Sequence, residues 1–130
     1  MEHNIDFING LTEQIIGCSF KVLNTLGTGF LEKVYQNTLA YELARHGLSV
    51  AKQCPIPVFY EGIFFGDFIG DLVVEGQVIV ELKAAQEHHG IFTAQCLNYL
   101  KATGLPVCLL LNFGKPQLDI KRYAHPSLAT

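Results

Sequence analysis

Two almost wholly apolar runs, Val78-Ile79-Val80-Glu81-Leu82 and Val107-Cys108-Leu109-Leu110-Leu111, constrain this chain most. A strand apolar at both parities must be covered on both faces, the habit of parallel strands joined by a helical crossover. Between the runs, from about Glu87 to Thr103, Ile91, Ala94, Leu97 and Leu100 or Lys101 fall at helical spacing, and Gly104 closes the segment. The sequence therefore predicts a central strand over Val78–Ala84, a crossover helix and a buried parallel strand over Pro106–Phe113.

The rest of the chain fits around that unit. Residues from about Leu11 to Leu26 carry Ile15, Ile16, Leu23 and Leu26 near a 3.6 period, and Gly27-Thr28-Gly29 breaks the pattern. A second helix runs from about Phe30 to His46, with Leu31, Val34, Tyr35, Leu39 and Leu43 on one face and Gly47 as its stop. The short connector predicts an antiparallel helix pair. Val50–Tyr60 contains Pro55 and Pro57 and reads as an edge strand. Ile63–Val74 follows the Glu61-Gly62 turn, with Gly66 and Gly70 marking a bend or bulge, and Leu118–Tyr123 adds a second edge strand. The expected fold is mixed α/β (α+β), in the order αα-βββ-α-ββ. One domain is expected over residues 1–130, with loose termini at 1–10 and 124–130.

The chain is 49% hydrophobic and 16% charged, which supports a core and excludes disorder. Its net charge of −3 excludes the strongly basic class of nucleic-acid binder. A polyanion partner would need bound cations or a local patch drawn from Arg45, Lys52, Lys83, Lys101, Lys115, Lys121 and Arg122. The four cysteines form no CxxC pair, which argues against a zinc ribbon and for buried free thiols in a reducing compartment. The start, Met1 to Asp6, is polar and acidic, unlike a signal peptide, and no apolar run approaches the roughly 20 residues of a membrane span. A cytoplasmic location and no membrane partner are expected.

Asp71, Glu81 and Lys83 stand out because charge inside such apolar strands must be solvated, paired or bound to a metal. Side chains alternate faces along a strand. With a three-residue loop, Glu75-Gly76-Gln77, Asp71 falls opposite Glu81 and all three groups share a face; a two-residue Glu75-Gly76 loop would turn Asp71 away. Two facing carboxylates repel, and a hard cation such as Mg²⁺ relieves that repulsion. Lys83 could then orient an attacking water or stabilise charge on a phosphate. The plainer alternative is a salt bridge at a sheet end. His88-His89 diverge by about 100° on a helix and suit an exposed helix start better than a shared ion. Gly27-Thr28-Gly29 lacks the strand and the Gly-Lys-Ser/Thr ending of a phosphate loop.

Asp71 followed by Glu81-Leu82-Lys83 resembles the strand Asp and the ExK element of the PD-(D/E)xK nuclease superfamily, with Gly70 where a Pro is usual. Gly29-Phe30-Leu31-Glu32-Lys33-Val34-Tyr35 is similar to the pattern of the GxxExxY family within it, and Gln95 and Tyr99 resemble a Gln-x-x-x-Tyr element that follows ExK in one branch. The resemblance spans about Leu11 to Tyr123. It implies a restriction-endonuclease-like core and a Mg²⁺-dependent nuclease, with Mn²⁺ as a substitute, acting on DNA or RNA. It also implies Asp71 and Glu81 as metal ligands, joined by the Leu82 carbonyl and Glu32, with Lys83 orienting water and Gln95 and Tyr99 positioning the site. The alternative is a catalytically silent module of the same fold that binds nucleic acid, a protein or a second copy of itself through the edge segments.

Overall fold

The computed structural model describes residues 4–128. Its elements are α1 (Ile5–Leu26), α2 (Glu32–Arg45), β1 (Val50–Tyr60), β2 (Ile63–Val74), β3 (Val78–Lys83), α3 (Gly90–Thr103), β4 (Val107–Asn112) and β5 (Asp119–Ala124), then a short 3₁₀ turn, Pro126–Leu128. The order is the expected one.

The strands form a five-stranded mixed sheet in sequence order, antiparallel except for the β3–β4 pair. That parallel pair is joined by α3, as the two apolar runs require, and every residue of β4 is buried. One face of the sheet, built on Val78, Val80, Leu82, Leu109 and Leu111, packs with residues of α1 and α2. On the other face Ile79, Cys108 and Leu110 meet Cys96, Tyr99 and Leu100 of α3. This two-faced cover makes the fold restriction-endonuclease-like.

α1 and α2 are antiparallel: Tyr35 bonds Gly27, Glu42 bonds Lys21, and His46 meets Cys18, so partners step back along α1 as α2 advances. α1 starts earlier than expected, because the Asn4 side chain accepts the Phe7 N–H and caps it. Residues 5–10 are therefore helical rather than loose. At the other end, Ala124 closes β5. Pro126–Leu128 form the 3₁₀ turn that buries Leu128 in the core, and 1–3 and 129–130 lie outside the described residues. α3 starts later than Glu87: Ala85 is bonded to Asn112, which holds the preceding segment off the helix.

β2 carries the expected bulge. Its register with β1 shifts where Val58 pairs Gly66 and Phe59 pairs Phe64, leaving Phe65 unmatched beside Gly66 at φ 143°. The turn between β2 and β3 spans three residues. Val74 pairs Val78, Val73 pairs Ile79 and Leu72 pairs Val80. Glu75 and Gly76 are both left-handed, and Glu75 is pinned there because its N–H binds the Ser49 carbonyl while its carboxylate accepts the Ser49 N–H.

Candidate active site

The odd-length turn brings Asp71 to the position facing Glu81. Here the sheet forks: upstream of Leu72, β2 pairs with β1 alone, whereas β3 runs on beside β4 to the Lys83–Asn112 pair. The backbone groups freed at the fork are taken by the two acids. The Asp71 N–H donates to Glu81 Oε1 at 3.1 Å, and the Leu82 N–H donates to Asp71 Oδ2 at 2.9 Å. Each carboxylate is thereby fixed by the strand that carries the other.

Glu81 is buried, at 3% exposure. Burial first, and then the neighbouring Asp71 charge, push its carboxyl up to about 8. Burial also raises Asp71, against the Leu82 N–H and the Lys83 charge. Without a cation both shifts favour a proton on the pair, which a bound divalent ion would displace. Lys83 Nζ lies 3.9 Å from Glu81 Oε2, too long for a hydrogen bond, and 4.7 Å from the centre of the Phe92 ring. The salt bridge of the plainer alternative is thus present but loose.

α3 supplies the third wall. Tyr99 donates to Glu81 Oε2 at 3.3 Å, and burial and the two acids hold its phenol well above the ordinary range. Phe92 meets Lys83 and Tyr99 meets Glu81, so α3 runs antiparallel to β3, and Gln95 lies between those two positions on the helix. Gln95 Oε1 is buried without a hydrogen-bond partner.

Glu32 reaches the site from the opposite layer. As the first residue of α2 it feels both Lys83 and Asp71, and burial raises its carboxyl. The Ala84 backbone N–H, next after Lys83, hydrogen-bonds its carboxyl, while Lys83 and Asp71 act on it through their charges. Among the described residues, no three His, Cys, Asp or Glu side chains converge into one metal-holding group. The structure thus brings Asp71, Glu81, Lys83 and Tyr99 together, with Glu32 and Gln95 at the margin. The Leu82 side chain is buried while its N–H serves Asp71. His88 and His89 both pack edge-on against Phe92, and His88 Nε2 lies 3.2 Å from Thr93 Oγ1.

Sequence reasoning missed two supports. Gln36, one turn after Glu32, donates to the Asp71 carbonyl at 3.4 Å and accepts from Gln53 at 2.9 Å. Its i+4 relation to Glu32 puts it on the same face of α2, but nothing in the sequence ties that face to Asp71. Asn112, beside Lys83 on β4, accepts the Ala85 N–H at 3.0 Å and the Gly114 N–H at 2.9 Å on one oxygen, and its Nδ2 is buried without a partner. Gly114 packs so closely on Ala85 that a Cβ would strike the Ala85 backbone. Phe113 donates its N–H to the Lys83 carbonyl at 2.8 Å and stacks on Tyr35 at 4.9 Å. Tyr35 in turn donates to Gly27 at 2.6 Å, just before α2. A continuous set of contacts thus ties the Lys83 end of β3 to the start of the Glu32 helix.

The donor set fits a hard divalent cation. Two facing carboxylates held above their ordinary pKa gain most from one, and the partnerless Gln95 oxygen leaves an acceptor for a ligand or its water. Compared with known proteins, residues 9–123 match the family model of the PD-(D/E)XK nuclease superfamily. No curated protein and no solved structure matches the chain.

Proposed function

Since this chain belongs to the PD-(D/E)XK nuclease superfamily, we propose that it is a metal-dependent phosphodiesterase of the GxxExxY branch that hydrolyses DNA or RNA. The observation that carries this reading is the Asp71–Glu81 pair at the sheet fork, Glu81 buried and Asp71 half-buried, with Lys83 beside it. Asp71 and Glu81 would hold Mg²⁺, or Mn²⁺ in its place, with the Leu82 carbonyl as a further oxygen. The bound ion supplies Lewis-acid polarisation of a phosphodiester and neutralises the paired carboxylates.

The chain's own residues do the rest. Lys83, held over Phe92, orients the attacking water and faces the charge that builds on the phosphate. Tyr99 fixes the Glu81 carboxylate through Oε2. Gln95 offers its bare oxygen to water or to the substrate. Glu32 would support the ion or its water from the start of α2. In-line attack would leave a 5′-phosphate on the product. The four free cysteines suit a reducing, cytoplasmic setting.

Purified protein incubated with single-stranded DNA, double-stranded DNA and RNA should cut at least one of them with Mg²⁺ or Mn²⁺ and none with chelator. Absence of cutting on every substrate, together with no measurable metal binding, would leave the silent nucleic-acid- or protein-binding module as the better reading.

A further inference from the structure

The β1–β2 hairpin outruns the rest of the sheet. Upstream of Leu72, β2 has only β1 as a neighbour, so the distal hairpin is a two-stranded arm. Such ribbons are marginal in water without cover. This one is apolar on both faces. Phe59 packs edge-on with Phe64 and Tyr60 with Phe65, and because Phe59 and Tyr60 are consecutive the two pairs lie on opposite sides. Phe59, Tyr60, Ile63, Phe64 and Phe65 are each 55–68% exposed.

A groove of about 510 Å³ runs between the arm and α3, lined on one side by Val58, Phe59 and Phe68 and on the other by Asn98, Lys101 and Ala102. The exposed Leu97 belongs to the same helix.

We propose that the arm is a homodimerisation element, each copy laying its arm into the arm–α3 groove of a second copy. Both halves of the contact, arm and groove, stand on one molecule, which is what a two-fold interface needs. With aromatic residues carrying about 150–250 Å² each, the exposed parts of the arm total on the order of 700 Å² per copy, near the roughly 800 Å² per partner of a stable interface. Charge decides against a polyanionic occupant. From Gln53 to Leu82 the chain has no Lys or Arg, and the arm carries Glu61 and Asp67, so a nucleic acid or an anionic lipid surface would be repelled. The inference stands apart from the nuclease reading and uses none of its residues.

Sedimentation equilibrium of the full chain should give twice the 14.4 kDa monomer mass. The double variant Phe59→Asp, Phe65→Asp places one charge on each face and should sediment as a monomer with an unchanged far-UV spectrum. Hydrogen exchange needs no variant. Arm amides over residues 57–68 should lose at least about tenfold in protection when the wild type is diluted below its dimer dissociation constant. A wild type that stays monomeric up to about 100 μM, far above a micromolar dissociation constant, would overturn the proposal. So would a dimer that survives both charges, or arm amides protected by a single-stranded oligonucleotide or anionic vesicles and not by concentration.

Discussion

Asn112 holds two backbone N–H groups on one buried oxygen, and both belong to the segments that leave the Lys83 and Asn112 strand ends. Asn112→Ala leaves them bare, which costs about 1–3 kcal/mol for each buried donor and should lower the melting temperature. As a positioning residue it should lower kcat about 10- to 100-fold with little change in KM, the range for partners that orient a reactive group. Asn112→Asp keeps the acceptor and should recover the stability. Equal melting temperatures for wild type and Asn112→Ala would contradict this role. Glu81 gives a pH prediction for the metal-free protein. Below its unfolded value of 4.5 it is protonated in both states and contributes no difference. Between 4.5 and about 8 the unfolded chain ionises while the folded one holds its proton, so stability falls as pH rises. Glu81→Gln should therefore gain melting temperature relative to wild type at pH 8 and not at pH 4.5, and divalent metal should stabilise the wild type alone. The Asp71–Glu81 relation was legible in the sequence because strand parity and an odd turn determine it. Asn112 and Gln36 were not, because each meets the site through a register or helix packing that no local pattern encodes.

At the scale of elements, the stack of Phe113 on Tyr35 couples the end of β4 to the start of α2. Tyr35→Phe keeps the stack and removes the hydroxyl's bonds to the Gly27 carbonyl and from the Phe30 N–H, so thermal unfolding should show a loss of about 1–3 kcal/mol, the usual net worth of one or two such bonds. Gly114→Ala should do more, because Ala85 must yield to the new methyl; overpacking of this kind costs about 1–3 kcal/mol. Both helices of the first pair, the crossover and the two edge strands were readable from periodicity and from Pro and Gly. Their ends were less so. The Asn4 cap extends α1 by a turn whose Ile5 and Ile8 continue the spacing of Leu11 and Ile15, beyond the point where the sequence reading began the helix. The start of α3 is set by Asn112 and Gly114 reaching across from the neighbouring strand, a tertiary constraint on a locally permissive sequence.

For the whole molecule, charge and shape divide the labour. The cations whose fields reach Asp71 are Lys83 and Lys33. Arg122 is bonded to Asn9 and Arg45 lies 3.8 Å from Glu42, so neither adds to the site. With two cations engaged, duplex binding measured in Ca²⁺ should be weak and its log–log salt slope about −2; a slope near about −6 would mean that another surface grips the backbone. No described helix is long and apolar enough to cross a membrane. The central claim is that Asp71 and Glu81 hold the ion and Lys83 works beside it. Metal binding by calorimetry and single-turnover cleavage, measured on the same preparations of wild type, Asp71→Ala and Lys83→Ala, test it most directly. Asp71→Ala should lose both metal binding and cleavage, and Lys83→Ala should keep the metal and lose cleavage. Metal-dependent cleavage that survives both substitutions would contradict the assignment.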